Sequence, residues 1–174
     1  MLEILRIIGP FFTGLSVVFV ALYFTRSTKR TDIVHAFDVR LDTIMNFHHE
    51  LVKRTITKEN SNVSFDVIDA ADGHHYYRRF FRLQRDQFLA FQSGYIDTII
   101  YVEWMTWRRH EYLGTEPDVL GVTYAGAWTA WSGRPPLERH IFVVFLDKVH
   151  NSTKPVKDIV YEYSPPWYRR ILPR

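Results

Sequence analysis

The 174-residue chain has no cysteine. That excludes disulfides, thiol nucleophiles, cysteine-ligated zinc and lipidated cysteines, and it agrees with a reducing cytoplasm. Lysine is scarce as well, six residues against sixteen arginines. Neither glycine-rich phosphate loop occurs, G-x-x-x-x-G-K or G-x-G-x-x-G. H-E-x-x-H, a paired E-x-x-H and the G-x-S-x-G elbow are missing too. The usual nucleotide, zinc, di-iron and serine-hydrolase chemistries therefore have no support in the sequence. The Ser93-Gly94 and Ser132-Gly133 pairs read as turns, and there is no internal repeat or low-complexity tract. No cofactor and no metal are expected.

Against these absences stands one long apolar run. Residues 7–24 (IIGPFFTGLSVVFVALYF) are eighteen in a row without a charge. As a helix they reach roughly 27 Å, close to the hydrocarbon thickness of a bilayer. In water such a helix would need burial on every side, so the run is read as a transmembrane span rather than a core helix. Gly9, Pro10 and Gly14 are tolerated in membrane helices. A cleaved signal peptide is not favoured, because bulky Tyr23 and Phe24 stand where small residues should precede the cut. Arg26, Lys29 and Arg30 follow the run closely. The positive-inside tendency then puts the N-terminus out and the C-terminal bulk in the cytoplasm, on a bacterial inner membrane. The sequons at Asn62 and Asn151 are accordingly read as chance.

The expected organisation is an anchor over residues 1–25, a basic juxtamembrane hinge over 26–31, a helical cytoplasmic domain over 32–164 and a basic aromatic tail over 165–174. The fold class is all-α: one transmembrane helix and a four- to five-helix bundle. In the hinge, Arg26, Lys29 and Arg30 face anionic lipid, each cation contributing on the order of 1 kcal/mol. Trp167, Tyr168, Arg169 and Arg170 of the tail suit the membrane interface or fold back on the bundle.

Periodicity predicts an amphipathic helix from Asp32 to about Thr55, capped by Thr31 or Asp32. Ile33, Val34, Phe37, Leu41, Ile44, Met45, Leu51 and Val52 fall in an arc of about 120°, with His48 in its middle as a core histidine. His35, Asp38, Asp42 and His49 form a polar stripe, read as a solvated flank. A loop is expected over 58–75. The doublets of HHYYRRFFRLQRDQFLAFQS (74–93) resolve into a helix with Tyr76, Tyr77, Phe80, Phe81, Leu83, Phe88 and Phe91 on one side. Arg78, Arg79, Arg82 and Arg85 share the other, tempered by Asp86. After a break at Gly94, residues 95–112 read as the central helix of the bundle, because their apolar residues spread nearly all round. Residues 114–136 are loop-like, with a short helix near 125–131 that packs Trp128 and Trp131. Pro136 can open a last helix, although IFVVFL (141–146) reads equally as a strand.

Two residue sets carry candidate function. Asp97, Glu103 and His110, with His48, are the buried polar candidates. In an open cleft they would suit acid–base work, and in a sealed core they would fix helix register. The arginine stripe is the anion- or partner-binding candidate, with a solvated face as the plain alternative. Arginine and aromatic residues together mark surfaces that meet partners.

From Tyr77 to Trp107 the pattern RRFFRLQRDQFLAFQSGYID…YVEW resembles small bacterial membrane proteins with a single N-terminal anchor and a short helical cytoplasmic domain. The matching positions are Phe81, Leu83, Gln87, Phe88, Gly94, Ile96, Asp97 and Trp104. The resemblance implies architecture and brings no activity, cofactor or catalytic residue. The expected function is a membrane-anchored, non-catalytic interaction protein, an accessory, scaffold or assembly subunit. Its partners would be membrane lipid and a protein or a second copy of itself. The alternatives are an effector or sensor that binds nucleic acid or nucleotide through the arginines, and an enzyme using Glu103 and His110.

Overall fold

The computed structural model describes the backbone of residues 2–59, 67–117 and 121–165, and the side chains of 25, 27–54, 71–117 and 121–165. Among these residues there are six α-helices and no strand. They are α1 (Leu2–Glu59), α2 (Val67–Gln92), α3 (Thr98–Leu113), α4 (Tyr124–Ser132), α5 (Ile141–Asn151) and α6 (Val156–Tyr163), with a 3-10 turn at Leu137–Arg139. The all-α class stands. The chain divides into two compact units, Met1–Ala36 and Phe37–Arg174. Among the described residues no helix is long and apolar enough to cross a membrane. The run at 7–24 and Arg26 lie within α1 but outside the described side chains, and Trp167, Tyr168, Arg169 and Arg170 lie outside the described residues.

Helix α1 runs through residues 26–32 without the expected hinge or cap. No glycine or proline interrupts TRSTKRTD, so nothing stops propagation. The Thr31 hydroxyl donates to the Ser27 carbonyl, as a threonine inside a helix does rather than a capping one. Lys29 is exposed and Arg30 half-exposed. In the second unit α1 buries Phe37, Ile44 and Leu51, one residue every two turns, while Met45 stays exposed. The buried seam is narrower than the apolar arc. His35, Asp38, Asp42 and His49 are all exposed, the solvated flank the pattern predicts.

Helix α2 begins earlier than expected. Residues 67–75 are helical, with Gly73 buried inside the helix, so the expected loop shrinks toward 60–66, which lie outside the described residues. The seven apolar residues expected on one side of α2 are all buried. They reach every other helix: His48 of α1 lies 4.6 Å from the Tyr76 ring, Trp128 of α4 5.1 Å from Phe81, Phe145 of α5 4.8 Å from Phe88, Tyr163 of α6 6.3 Å from Phe88, and Tyr101 of α3 4.2 Å from Phe91. The helix ends at Gly94, whose φ of 77° is open to glycine at little cost. The Gly94 amide donates to the Phe91 carbonyl and the Tyr95 amide to that of Ala90, the paired bonds of a left-handed helix stop.

Helix α3 is covered on one side only, where periodicity suggested burial on several. Helix α3 packs on α4, α5 and α6 and buries only Thr98, Tyr101 and Met105. Ile99 and Trp107 remain 65% and 68% exposed, and Ile100 and Leu113 are exposed as well. An apolar circumference permits burial on every side but cannot supply the neighbours.

The IFVVFL ambiguity resolves as helix. Phe142, Val143, Phe145, Leu146, Val149 and His150 are buried while Ile141 and Val144 are exposed, a 3.6-residue period. The helix opens at Ile141 instead of Pro136, because extended His140 caps it: its Nδ1 accepts from the Phe142 amide at 3.1 Å. Helix α4 lies where a short helix was expected, with Trp128 and Trp131 buried and Thr123 as cap. Helix α6 was missed, which brings the bundle to six helices. Its signal is Val156, Ile159 and Val160, all buried and spaced by three and four after Pro155. Arg109 joins α3 to this end of the molecule, donating to the backbone carbonyls of Val149 and, at 2.8 Å, Lys154.

Phe81 is fully buried against the rings of Tyr77, Tyr124, Trp128 and Trp131. Phe81→Ala should therefore cost about 3–5 kcal/mol by chemical denaturation. Trp107→Ala on the exposed face should stay within about 0.5 kcal/mol.

Candidate functional site

The four stripe arginines do lie on one side of α2, but two of them have work inside the chain. Arg79 sets its guanidinium 4.8 Å from the Phe47 ring. Arg85 contacts Asp86 at 3.3 Å, and Asp86 also takes Arg40 of α1 at 3.0 Å. Asp86 thus tempers the stripe at Arg85 and also ties α2 to α1. Exposed pairs of this kind contribute about 0–1 kcal/mol each, so the network orients the helices more than it holds them. Among the described residues, Arg78 and Arg82 make no ion pair, and Arg82 is exposed.

The buried polar candidates are not assembled. Asp97 is the N-cap of α3, its carboxylate accepting from the Ile99 amide at 2.8 Å, and it is half-exposed. Glu103 and His110 are exposed, because the side of α3 that carries them is uncovered. His48 is half-exposed against Tyr76. With both side chains exposed, Glu103 and His110 do not form a buried register pair. Among the described residues no group of three or more His, Asp or Glu side chains can hold a metal.

A different polar centre lies in the core. His150 is 3% exposed and stacks on Tyr112 at 4.1 Å with the rings 6° from parallel. The rings of Trp128 and Tyr124 meet it edge-on at 5.4 and 5.7 Å. Neither imidazole nitrogen has a hydrogen-bond partner among the described residues. Burial, aided by the nearby Arg109 cation, pushes His150 down from 6.5 to about 3. Burial also pushes the Tyr124 phenol up, while its hydroxyl donates to Gln84 Oε1 at 3.3 Å. The fully buried Tyr101 phenol is raised in the same way. At neutral pH burial keeps the His150 imidazole and the Tyr124 phenol uncharged. Close by, Trp128 donates to Asp147 at 2.7 Å. The sequence analysis missed His150; its one signal is that it continues the 142, 145, 146, 149 period.

Two surface features remain. One is the apolar face of α3 at Ile99, Ile100, Trp107 and Leu113. The other is a half-open cleft of about 190 Å³ between Tyr76, Tyr77, Phe80, Tyr124, Glu111 and Glu116.

Comparison of the chain with family models, with curated proteins and with solved structures finds no match. The reading of function therefore rests on geometry and sequence.

The neutral His150 makes stability depend on pH. Below about 6.5 the unfolded imidazole takes up a proton that the folded one refuses until about pH 3. Stability should fall with acidification across that window, by about 1.4 kcal/mol per pH unit from this group. Denaturant titrations at stepped pH should show His150→Phe losing one proton's worth of that slope; an unchanged slope contradicts the assignment.

Proposed function

We propose that the chain is a membrane-anchored, non-catalytic interaction protein, an accessory, scaffold or assembly subunit of a larger complex. Its helical domain would lie on the cytoplasmic side of a bacterial inner membrane. The observation that carries this reading is the uncovered apolar face of α3. Trp107, Ile99, Ile100 and Leu113 stand in solvent on one rigid helix, whose other side is fixed by α4, α5 and α6. Clustered exposed apolar side chains of this size mark contact sites, and a tryptophan on a rigid element makes a strong anchor. Glu103, Thr106 and His110 are exposed on the same side, beside Ile99 and Trp107, so the face mixes apolar anchors with polar groups as contact surfaces do. The tether rests on the eighteen uncharged residues of 7–24 and the cations that follow.

The arginine stripe supports a second, anion-binding reading through Arg78 and Arg82, the two stripe residues without an ion pair among the described residues.

Full-length protein extracted from its own membranes in mild detergent should travel with a second polypeptide or a second copy by native mass spectrometry. Ile100→Ser with Trp107→Ser should abolish that mass excess and leave the melting temperature unchanged. Arg78→Gln with Arg82→Gln should leave association intact. The opposite pattern, with association that falls steeply as salt rises, would transfer the function to the arginine face.

A further inference from the structure

The uncovered side of α3 carries a stripe that is complementary to itself. Ile99, Glu103, Thr106, His110 and Leu113 are all exposed, and they stand four, three, four and three residues apart. At 3.6 residues per turn they fall within an arc of about 80°, with Ile100 and Trp107 along one edge. Alternating steps of three and four make the seam that two helices share when they pack side by side. Along this seam the chemistry runs apolar, acidic, small, imidazole, apolar. Turned end for end, the sequence of shapes is the same and the acid and the imidazole change places. Glu103 and His110 lie about 10.5 Å apart along the helix axis, too far to pair within one chain.

We propose that this stripe binds a second copy of the chain, with the two α3 helices antiparallel about a two-fold axis at Thr106. The proposal rests on the reading of the α3 face as a contact surface, and it names the partner. In a two-fold interface, residue i meets j and j meets i. With the axis at Thr106, Glu103 meets the partner's His110 and Ile99 meets the partner's Leu113, and each contact is made twice. An imidazole has an N–H to donate to a carboxylate whether it is neutral or protonated. A parallel pair would instead set Glu103 against the partner's Glu103, so the charges select the antiparallel arrangement. The axis falls on a small residue, which lets the helices approach. The Thr106 hydroxyl is already bonded to the Val102 carbonyl at 2.8 Å, so covering it leaves no donor unpaired. A lipid surface fits less well, because Glu103 would be stripped of water there with nothing to pair it. The contact is short: sixteen residues of helix span about 24 Å. Interfaces at the small end of the range are weak, so the copies should exchange rather than form a permanent dimer.

Because the chain has no cysteine, introduced cysteines read the register directly. Full-length Thr106→Cys protein, mildly oxidised in maltoside detergent, should give a species of twice 20.7 kDa, since a residue on the axis meets its own copy within disulfide reach. Ile99→Cys should not, because its two copies would lie roughly 20 Å apart. By sedimentation, Glu103→Arg and His110→Glu should each self-associate about tenfold or more weakly than the wild type, because each sets like charges across the axis. An equal mixture of the two should recover association, since the new arginine then faces the new glutamate; recovery also shows that both variants fold. Cross-linking at Ile99→Cys and not at Thr106→Cys, or a mixture no tighter than its components, overturns the antiparallel dimer. A wild-type monomer that carries a different polypeptide, lost on Ile100→Ser with Trp107→Ser, overturns the dimer and leaves the contact reading standing. A monomer that carries nothing overturns both.

Discussion

The buried aromatic side of α2 is the constraint on which the second unit depends. Its rings run from Tyr76 to Phe91 and touch residues of α1, α3, α4, α5 and α6 in turn. The shorter helices need that surface. Helix α4 has nine residues and α6 has eight, lengths at which an isolated helix barely forms in water. Trp128 and Trp131 hold α4 through Phe81, while Tyr163 holds α6 through Phe88 and Phe145. Aromatic pairs at these separations add about 0.5–1.5 kcal/mol beyond the area they bury. A helix that presents so many at once therefore specifies its neighbours' positions as well as their stability.

This dependence explains which parts of the sequence could be read. The doublets of 76–91 predicted α2 because a helix with one wholly apolar side has only one way to bury it. The tryptophans of 128 and 131 predicted α4 for the same reason. Helix α3 was misread because periodicity reports what a helix could bury, whereas the side its neighbours α4, α5 and α6 occupy decides what it does bury. The ionisable residues of α3 inherited that error. Asp97 stands where a helix begins, so its carboxylate caps, and Glu103 and His110 stand on the uncovered side. His150 escaped notice because a histidine at the end of an apolar run looks like a helix stop. Only the rings of Tyr112, Tyr124 and Trp128 make it a core residue.

The polar chemistry is distributed in a way that bears on function. Inside, burial holds His150, Tyr124 and Tyr101 in their neutral forms at physiological pH. Outside, charge and apolar surface alternate: arginines on α2, carboxylates at the cleft, isoleucine and tryptophan on α3. Ion pairs such as Arg40–Asp86 and Lys148–Glu162 then set the angles at which those faces are shown.

Arg109 gives that arrangement a mechanical side. Its guanidinium is bonded to the carbonyls of Val149 and Lys154, one at the end of α5 and one in the turn that leads to α6. The turn cannot swing open while α3 keeps its place, and α3 cannot slide along its axis without tearing both bonds. The three helices are latched into one cooperative unit of opening and closing. A load applied to the outer side of α3 is therefore borne at the far end of the chain's fold, by the backbone of the α5–α6 turn.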